Sequence, residues 1–328
     1  MNTNKQYNAI DLLKFIMALL VVMIHVQPNK HSDSLSDIFN VVTSIAVPVF
    51  FIISSMLVFR KGGGTLNLLG YCKRIGLLYL CWFIIDFWFV YTNKPYFHVG
   101  IVKGVTNLLK DVFFATTFPG SWYLSASVVG VVLVYYLNKF LHPIITFVIT
   151  YLLACYVYRF NMLPESWQGV YEWYAMNIRE GVSLSFPGQM IWISIGQLLS
   201  TVMTSLDDKK KWLLSVSASA FALSMVLSLF INAIELRVVS STMIVVACIL
   251  VDLPSSPIYK RLRNYSILMF FFHFSIAGKM RYFFAIVGDT LLTNWLYYLF
   301  VVAVSILFAE AVLRLEKNKY LSFLKYLH

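Results

Sequence analysis

Charge is scarce in this chain. Of its 328 residues only 12% are Asp, Glu, Lys or Arg, while 59% belong to the hydrophobic set. That balance excludes an ordinary soluble globular domain, in which about 25% of residues are charged. Cysteine is scarce too. Cys72, Cys81, Cys155 and Cys248 all lie in or beside apolar segments, and the first two would sit roughly 13 Å apart along one helix. No disulfide framework or metal-ligand spacing follows, and the four read as small buried hydrophobes. A Ser-His-Asp or Cys-His arrangement, a metal cluster and a Gly-rich phosphate loop are all missing from the pattern. The two halves share no broken helices or Gly/Pro spacing, which counts against a secondary transporter built on inverted repeats. Low complexity is limited to Gly62-Gly63-Gly64, a turn beside Arg60 and Lys61.

Long apolar runs are what the chain does have. Its mean hydropathy is +0.74, and runs of about 20 apolar residues, the length that crosses a bilayer as a helix, recur nearly end to end. The expected spans are 9–27, 38–59, 71–91, 121–138, 143–160, 184–204, 212–231, 234–252, 264–287 and 291–313. The fold class predicted is all-α: a polytopic membrane protein of about ten helices, one integral-membrane domain over 1–328 with no separate soluble domain. The first run has no basic leader beyond Lys5 and leads into Gln27-Pro28 rather than a small-residue cleavage site, so it reads as a retained helix.

The net charge of +11 comes from basic residues scattered in short groups between apolar runs, which points to topology rather than to nucleic acid. With the N-terminus inside, 16 basic residues fall on the cytoplasmic side, among them Lys5, Lys61 and Lys209, and nine outside, among them Lys30 and Arg179. Both termini are therefore expected in the cytoplasm. Two longer connections, 92–120 and 161–183, fall outside. The first holds a weakly amphipathic stretch that lies along or dips into the membrane. The second sets Trp167, Tyr171, Trp173 and Tyr174 as interfacial anchors, or alternatively as a platform for sugar rings.

Polar residues inside the spans carry the functional signal. Lys14 and His25 stand eleven residues apart, almost three whole turns, so they share one face roughly 16 Å apart along the axis, and Asp11 lies on that face too. An acid, a base and an imidazole on one stripe should face protein or a wet cavity rather than lipid. Lys14 could also snorkel to the surface and pair with Asp11, and His25 could be interfacial. Histidine is nevertheless the side chain best suited to take a proton from a hydroxyl near neutral pH. Ser54 and Ser55 interrupt the apolar run AVPVFFIISSMLVFRK, where bonds back to their own helix are the plain explanation. Arg60 and Lys61 with Lys73 and Arg74 form a basic cluster, read either as topology or as an anion site. His273, in FFFHFSI, is a second buried imidazole.

Taken in order, these stretches resemble the bacterial integral-membrane acyltransferases of acyltransferase family three. AIDLLKFIMALLVVMIH resembles the family's first helix, with a basic residue and a histidine eleven apart, and AVPVFFIISSMLVFRK its second. GYCKRIGLLYL is similar to the basic start of its third, SWYLSASVVGVVLVYYL to its Trp-Tyr/Phe-Leu helix, and LRNYSILMFFFHFSI to its closing Ser, aromatic and His segment. The chain departs from the pattern at Lys14 and Leu77, where arginine is usual, and at Ser55, where glycine is usual.

The resemblance implies an O-acetyltransferase of cell-surface glycans in the bacterial inner membrane. His25 would be the catalytic base or acyl carrier, Lys14 would serve the donor channel and Asp11 would set Lys14. Arg74 falls at the family's basic third-helix position; Lys73, Arg60, Ser54, Ser55 and His273 join it as substrate-binding candidates. Trp122 and Tyr123, following Pro119-Gly120, would line the acceptor site. The donor would be cytoplasmic acetyl-CoA or another acyl-CoA, with no bound cofactor and no metal. The partners would be the glycan or lipid-linked glycan acceptor and membrane lipids, with no nucleic acid. The rival is a transporter or flippase of a lipid-linked glycan.

Overall fold

The computed structural model describes residues 7–29, 33–60, 65–178, 181–202 and 210–328. Lys5, Lys30, Lys61, the Gly62–Gly64 turn, Arg179 and Lys209 lie outside the described residues. Among those described there is no strand. Fourteen α-helices follow in chain order: α1 Asn8–Val26, α2 Asp33–Thr43, α3 Ala46–Phe59, α4 Thr65–Ile85, α5 Phe87–Asn93, α6 Ile101–Phe114, α7 Ser121–Phe140, α8 Pro143–Tyr158, α9 Glu165–Asn177, α10 Phe186–Val202, α11 Lys210–Ser228, α12 Ile234–Leu250, α13 Pro257–Val287 and α14 Leu291–Leu315.

Their ends follow local chemistry. α1 stops where Gln27 turns left-handed at φ 53°, its N–H returning to the Met23 carbonyl at 2.9 Å, just before Pro28. α8 and α13 each start with proline in the first turn, behind His142 and Ser256, whose side chains accept from the N–H groups of Ile144 and Ile258. α7 is preceded by Gly120, which takes φ 83°, a value glycine adopts at no steric cost.

A helix lies at each expected span, with four differences, one being that α13 starts seven residues earlier than expected, at Pro257. The 38–59 span is two helices, because Pro48 in the first turn of α3 has no N–H to continue α2, and Ser44 spends its hydroxyl on the Val41 carbonyl. The 71–91 span breaks at Asp86 into α4 and α5, and α4 starts six residues earlier than expected. The two long connections contain α6 and α9. Trp167 and Trp173 on α9 are exposed, while Tyr171 stacks on Phe160 with ring centroids 3.7 Å apart.

Among the described residues six helices are long and apolar enough to cross a membrane: Asn8–Val26, Leu35–Phe59, Leu68–Ile85, Ser121–Phe140, Lys210–Ser228 and Leu291–Leu315. Of the remaining expected spans, α8, α10 and α12 have 16 or 17 residues, and α13 has 31 with five basic residues.

The chain divides into two compact units, residues 1–50 with 204–328, and residues 51–203, the division falling within α3. In the first, α1 packs along α13 and α14, and α11 pairs with α12; Met17, Val21, Val22, Leu268 and Val301 fill the interior. In the second, α10 packs on α7 and α8 and is buried along most of its length. Thr150 and Ser194 share a 2.7 Å hydrogen bond between α8 and α10.

Gly196 is what lets α10 approach α3. A Cβ there would strike the Ser55 hydroxyl and the backbone of Ile52 and Met56. Gly196→Leu is therefore expected to destabilise the second unit by about 1–3 kcal/mol, the usual cost of overpacking, read as a lowered midpoint in thermal unfolding. An unchanged midpoint would mean the helices part freely.

Candidate functional site

The first unit builds its site from the lengthwise packing of α1 on α13. At the start of α1 the buried Asn8 side chain donates to the carbonyls of Leu253 and Pro254, at 3.2 and 2.9 Å, holding α1 against the segment that leads into α13. One turn on, Asp11 is 5% exposed, and its Oδ2 lies 3.7 Å from Nη1 of Arg263. Lys14 follows, half-buried.

The other end of the same helix pair holds two imidazoles. The His25 and His273 ring centroids are 5.2 Å apart and tilted by 34°, and Phe274 lies 4.4 Å from His25. His273 is fully buried. Its Nδ1 lies 2.8 Å from the Met269 carbonyl, which only accepts, so Nδ1 carries the proton. Nε2 is then an unprotonated acceptor in the neutral ring, and it is buried with no hydrogen-bond partner. His25 itself keeps an exposed face. The pair therefore offers one accessible imidazole packed against a buried one, and a neutral imidazole can accept a proton from a hydroxyl.

This packing pairs His25 with His273 at one end of the seam and Asp11 with Arg263 at the other, while Lys14 lies one turn beyond Asp11 on α1. In the sequence Arg263 counted only as a topology charge. A spacing signal was available: Arg263 stands ten residues before His273, so a helix that runs parallel to α1 and meets His25 with His273 presents Arg263 towards the Asp11 end.

The second unit gathers another group. Ser54 and Tyr123 share a 3.2 Å hydrogen bond between α3 and α7. Phe51 lies 4.6 Å from the Tyr123 ring and 6.4 Å from that of Trp122. Ser55 points elsewhere: it is fully buried, and its hydroxyl donates to the Phe51 and Ile52 carbonyls at 2.8 and 3.2 Å, facing the close approach of Gly196. Its place is in helix packing. Lys73 and Arg74 lie exposed on α4, and Arg60 is half-buried at the end of α3. Tyr123→Phe removes the hydroxyl paired with Ser54, and about 0.5–1.5 kcal/mol of stability is expected to go with it; a thermal melt matching wild type would show that the hydroxyl contributes nothing.

Among the described residues no group of three His, Cys, Asp or Glu side chains is placed to hold a metal ion.

Compared with known proteins, residues 7–314 match a family model described as an acyltransferase domain, Acyl_transf_3. Two curated proteins of Enterococcus faecalis, both named amino-acid racemase, are 30% identical over 173 residues and 29% identical over 180. Those matches cover 52% and 50% of this chain but 23% of each relative, so the likeness spans about a quarter of their length. No solved structure matches. The family match, in contrast, runs from Tyr7 to Arg314, through both units and through the α1–α13 pairing that holds the two imidazoles, and by it this membrane protein belongs to acyltransferase family 3.

Proposed function

We propose that the chain moves an acyl group, acetyl first among the choices, from cytoplasmic acyl-CoA to a hydroxyl of a cell-surface glycan or its lipid-linked precursor. The observation that carries this reading is the accessible His25 imidazole seated against the buried His273. His25 removes the proton of the acceptor hydroxyl as its oxygen attacks the thioester carbonyl. The C–S bond breaks, and the thiolate takes up a proton and leaves as CoA thiol. In the variant with a covalent intermediate, the imidazole nitrogen attacks first and carries the acyl group to the hydroxyl. His273 holds the His25 ring in place, and Lys14 with Arg263 supplies positive charge at the opposite end of the α1–α13 seam.

Arg60 and Arg74 in the second unit are the proposed attractants for the anionic donor, and Trp122 and Tyr123 the proposed contacts for the acceptor. The membrane arrangement proposed is ten spans with both termini in the cytoplasm of a bacterial inner membrane. It is supported by the excess of basic residues on one side and by a helix at each expected span.

A second reading rests on the names of the two racemases: the acceptor is an amino acid rather than a glycan. Membranes containing the chain, supplied with radiolabelled acetyl-CoA, separate the two when offered envelope glycan, serine or no acceptor. Label in the glycan supports the first reading and label in serine the second. Label in neither, with CoA release no greater than in membranes lacking the chain, would overturn both.

A further inference from the structure

The second unit holds a cavity of about 390 Å³ walled by α4, α6 and α7. Cys72, Gly76 and Phe83 line it from α4, Leu108 and Phe113 from α6, and Val128 from α7. A volume of this size lies within the range of ligand pockets. Two hydroxyl-bearing residues line it, Tyr79 and Ser125. Both are engaged already: the Tyr79 hydroxyl lies 2.5 Å from that of Thr117, and Ser125 donates to the Val112 carbonyl at 2.6 Å. A bound water needs two to four polar partners, so the cavity has little to offer water and suits hydrocarbon.

Hydrocarbon is also what surrounds it. α4 is among the helices apolar enough to cross a membrane, only 17% of its span is buried, and Leu80 and Phe113 on the cavity wall are 54% and 47% exposed. Gly76 adds an independent sign. Glycine inside a helix costs about 1 kcal/mol relative to alanine, a cost usually explained by a neighbour that must come close. Here nothing lies within 4 Å of where its Cβ would stand. The effect of the missing side chain is to leave the α4 wall of the cavity open.

Charge fixes the kind of lipid. Residues 72, 76, 79 and 83 form one stripe of α4, about 16 Å long at 1.5 Å per residue. Lys73 flanks one end of the stripe, about 100° round the helix from Cys72, while Arg74 is a further 100° away and faces elsewhere. Both are exposed. A cation beside one end of an apolar slot matches a phospholipid, whose phosphate sits one glycerol from its chains. An acyl-CoA fits this spacing poorly, because the whole pantetheine arm separates its phosphates from its acyl group.

We propose that the slot between α4, α6 and α7 binds an acyl chain of an anionic phospholipid, with Lys73 at the headgroup phosphate. This site is separate from acyl transfer and stands or falls without it. The test uses the purified full chain in detergent micelles, titrated with phosphatidylglycerol that carries a diazirine on its acyl chain, then illuminated and digested. Saturable adducts are expected on peptides holding residues 72–83 and 124–129. Gly76→Phe and Val128→Trp, which fill the slot from opposite walls, should each cut them roughly tenfold, a difference of about 1.4 kcal/mol in binding. Lys73→Gln should weaken labelling by phosphatidylglycerol and leave that by phosphatidylcholine of the same chain unchanged.

Labelling that never saturates and spreads over the exposed helices, or that survives both filling variants in folded protein, would overturn the site. A Lys73→Gln effect equal for the two lipids, or absent for both, would overturn the headgroup assignment. If neither filling variant keeps the wild-type thermal unfolding curve, Cys72 decides: phosphatidylglycerol should shield it from a lipid-soluble maleimide, and no shielding rejects the slot.

Discussion

His25→Ala is expected to lower acyl transfer by about 10²–10⁴-fold, the range that a positioned general base supplies. Release of CoA thiol from acetyl-CoA in the presence of acceptor gives the rate directly. Stability should change little, because His25 lies at the end of α1 with an exposed face, against the His273 and Phe274 rings; ring pairings of this kind contribute about 0.5–1.5 kcal/mol. His25→Gln keeps a polar side chain without a proton-accepting nitrogen and should be as inactive. His273→Phe separates positioning from packing: it keeps a buried ring and removes the nitrogens, so the rate at saturating donor should fall while KM for the donor holds. A His273→Phe protein with wild-type rate would reduce His273 to filler.

Asp11→Ala is expected to cost about 1–3 kcal/mol of stability, because it leaves the Arg263 guanidinium beside a site built for its counter-charge. The larger penalties known for breaking a fully buried pair do not apply, since Arg263 is 35% exposed while the Asp11 side chain is 7% exposed. A double-mutant cycle with Arg263→Ala isolates the pair, and a coupling of about 0.5–3 kcal/mol is expected for charges in contact. A coupling of zero would mean that each residue answers to other neighbours. Activity should fall in both single variants, because α1 carries His25 on the same stripe and its seating on α13 sets where the imidazole lies.

Much of this was legible in the sequence because a bilayer constrains what a chain can do. Apolar runs of bilayer length announce helices, and a helix lies at each of the ten expected spans. The eleven-residue interval from Lys14 to His25 placed both on one face by geometry alone, and Asp11 and His25 do meet the same partner helix.

What stayed hidden depends on pairing between distant segments. Asp11 was expected to set Lys14 within one turn of α1, and nothing local told it that Arg263, 252 residues on, would arrive alongside. Ser54 and Ser55 both read as bonding back to their own helix, with Ser55 standing where glycine is usual, and Ser55 does so bond. Only the approach of Gly196 separates it from Ser54, turning one hydroxyl into a packing surface and the other towards Tyr123. The breaks at residues 44–45 and at Asp86 were missed because hydropathy averages over the proline and turn residues that end a helix.

Transfer across a sealed membrane is the most direct test. Proteoliposomes bearing the chain would be loaded with radiolabelled acetyl-CoA inside and given envelope glycan outside. Labelled glycan outside with wild type, reduced at least about a hundredfold with His25→Ala of equal abundance and fold, is the expected result. Equal labelling by the two proteins, or none by wild type above empty vesicles, would contradict acyl transfer through His25.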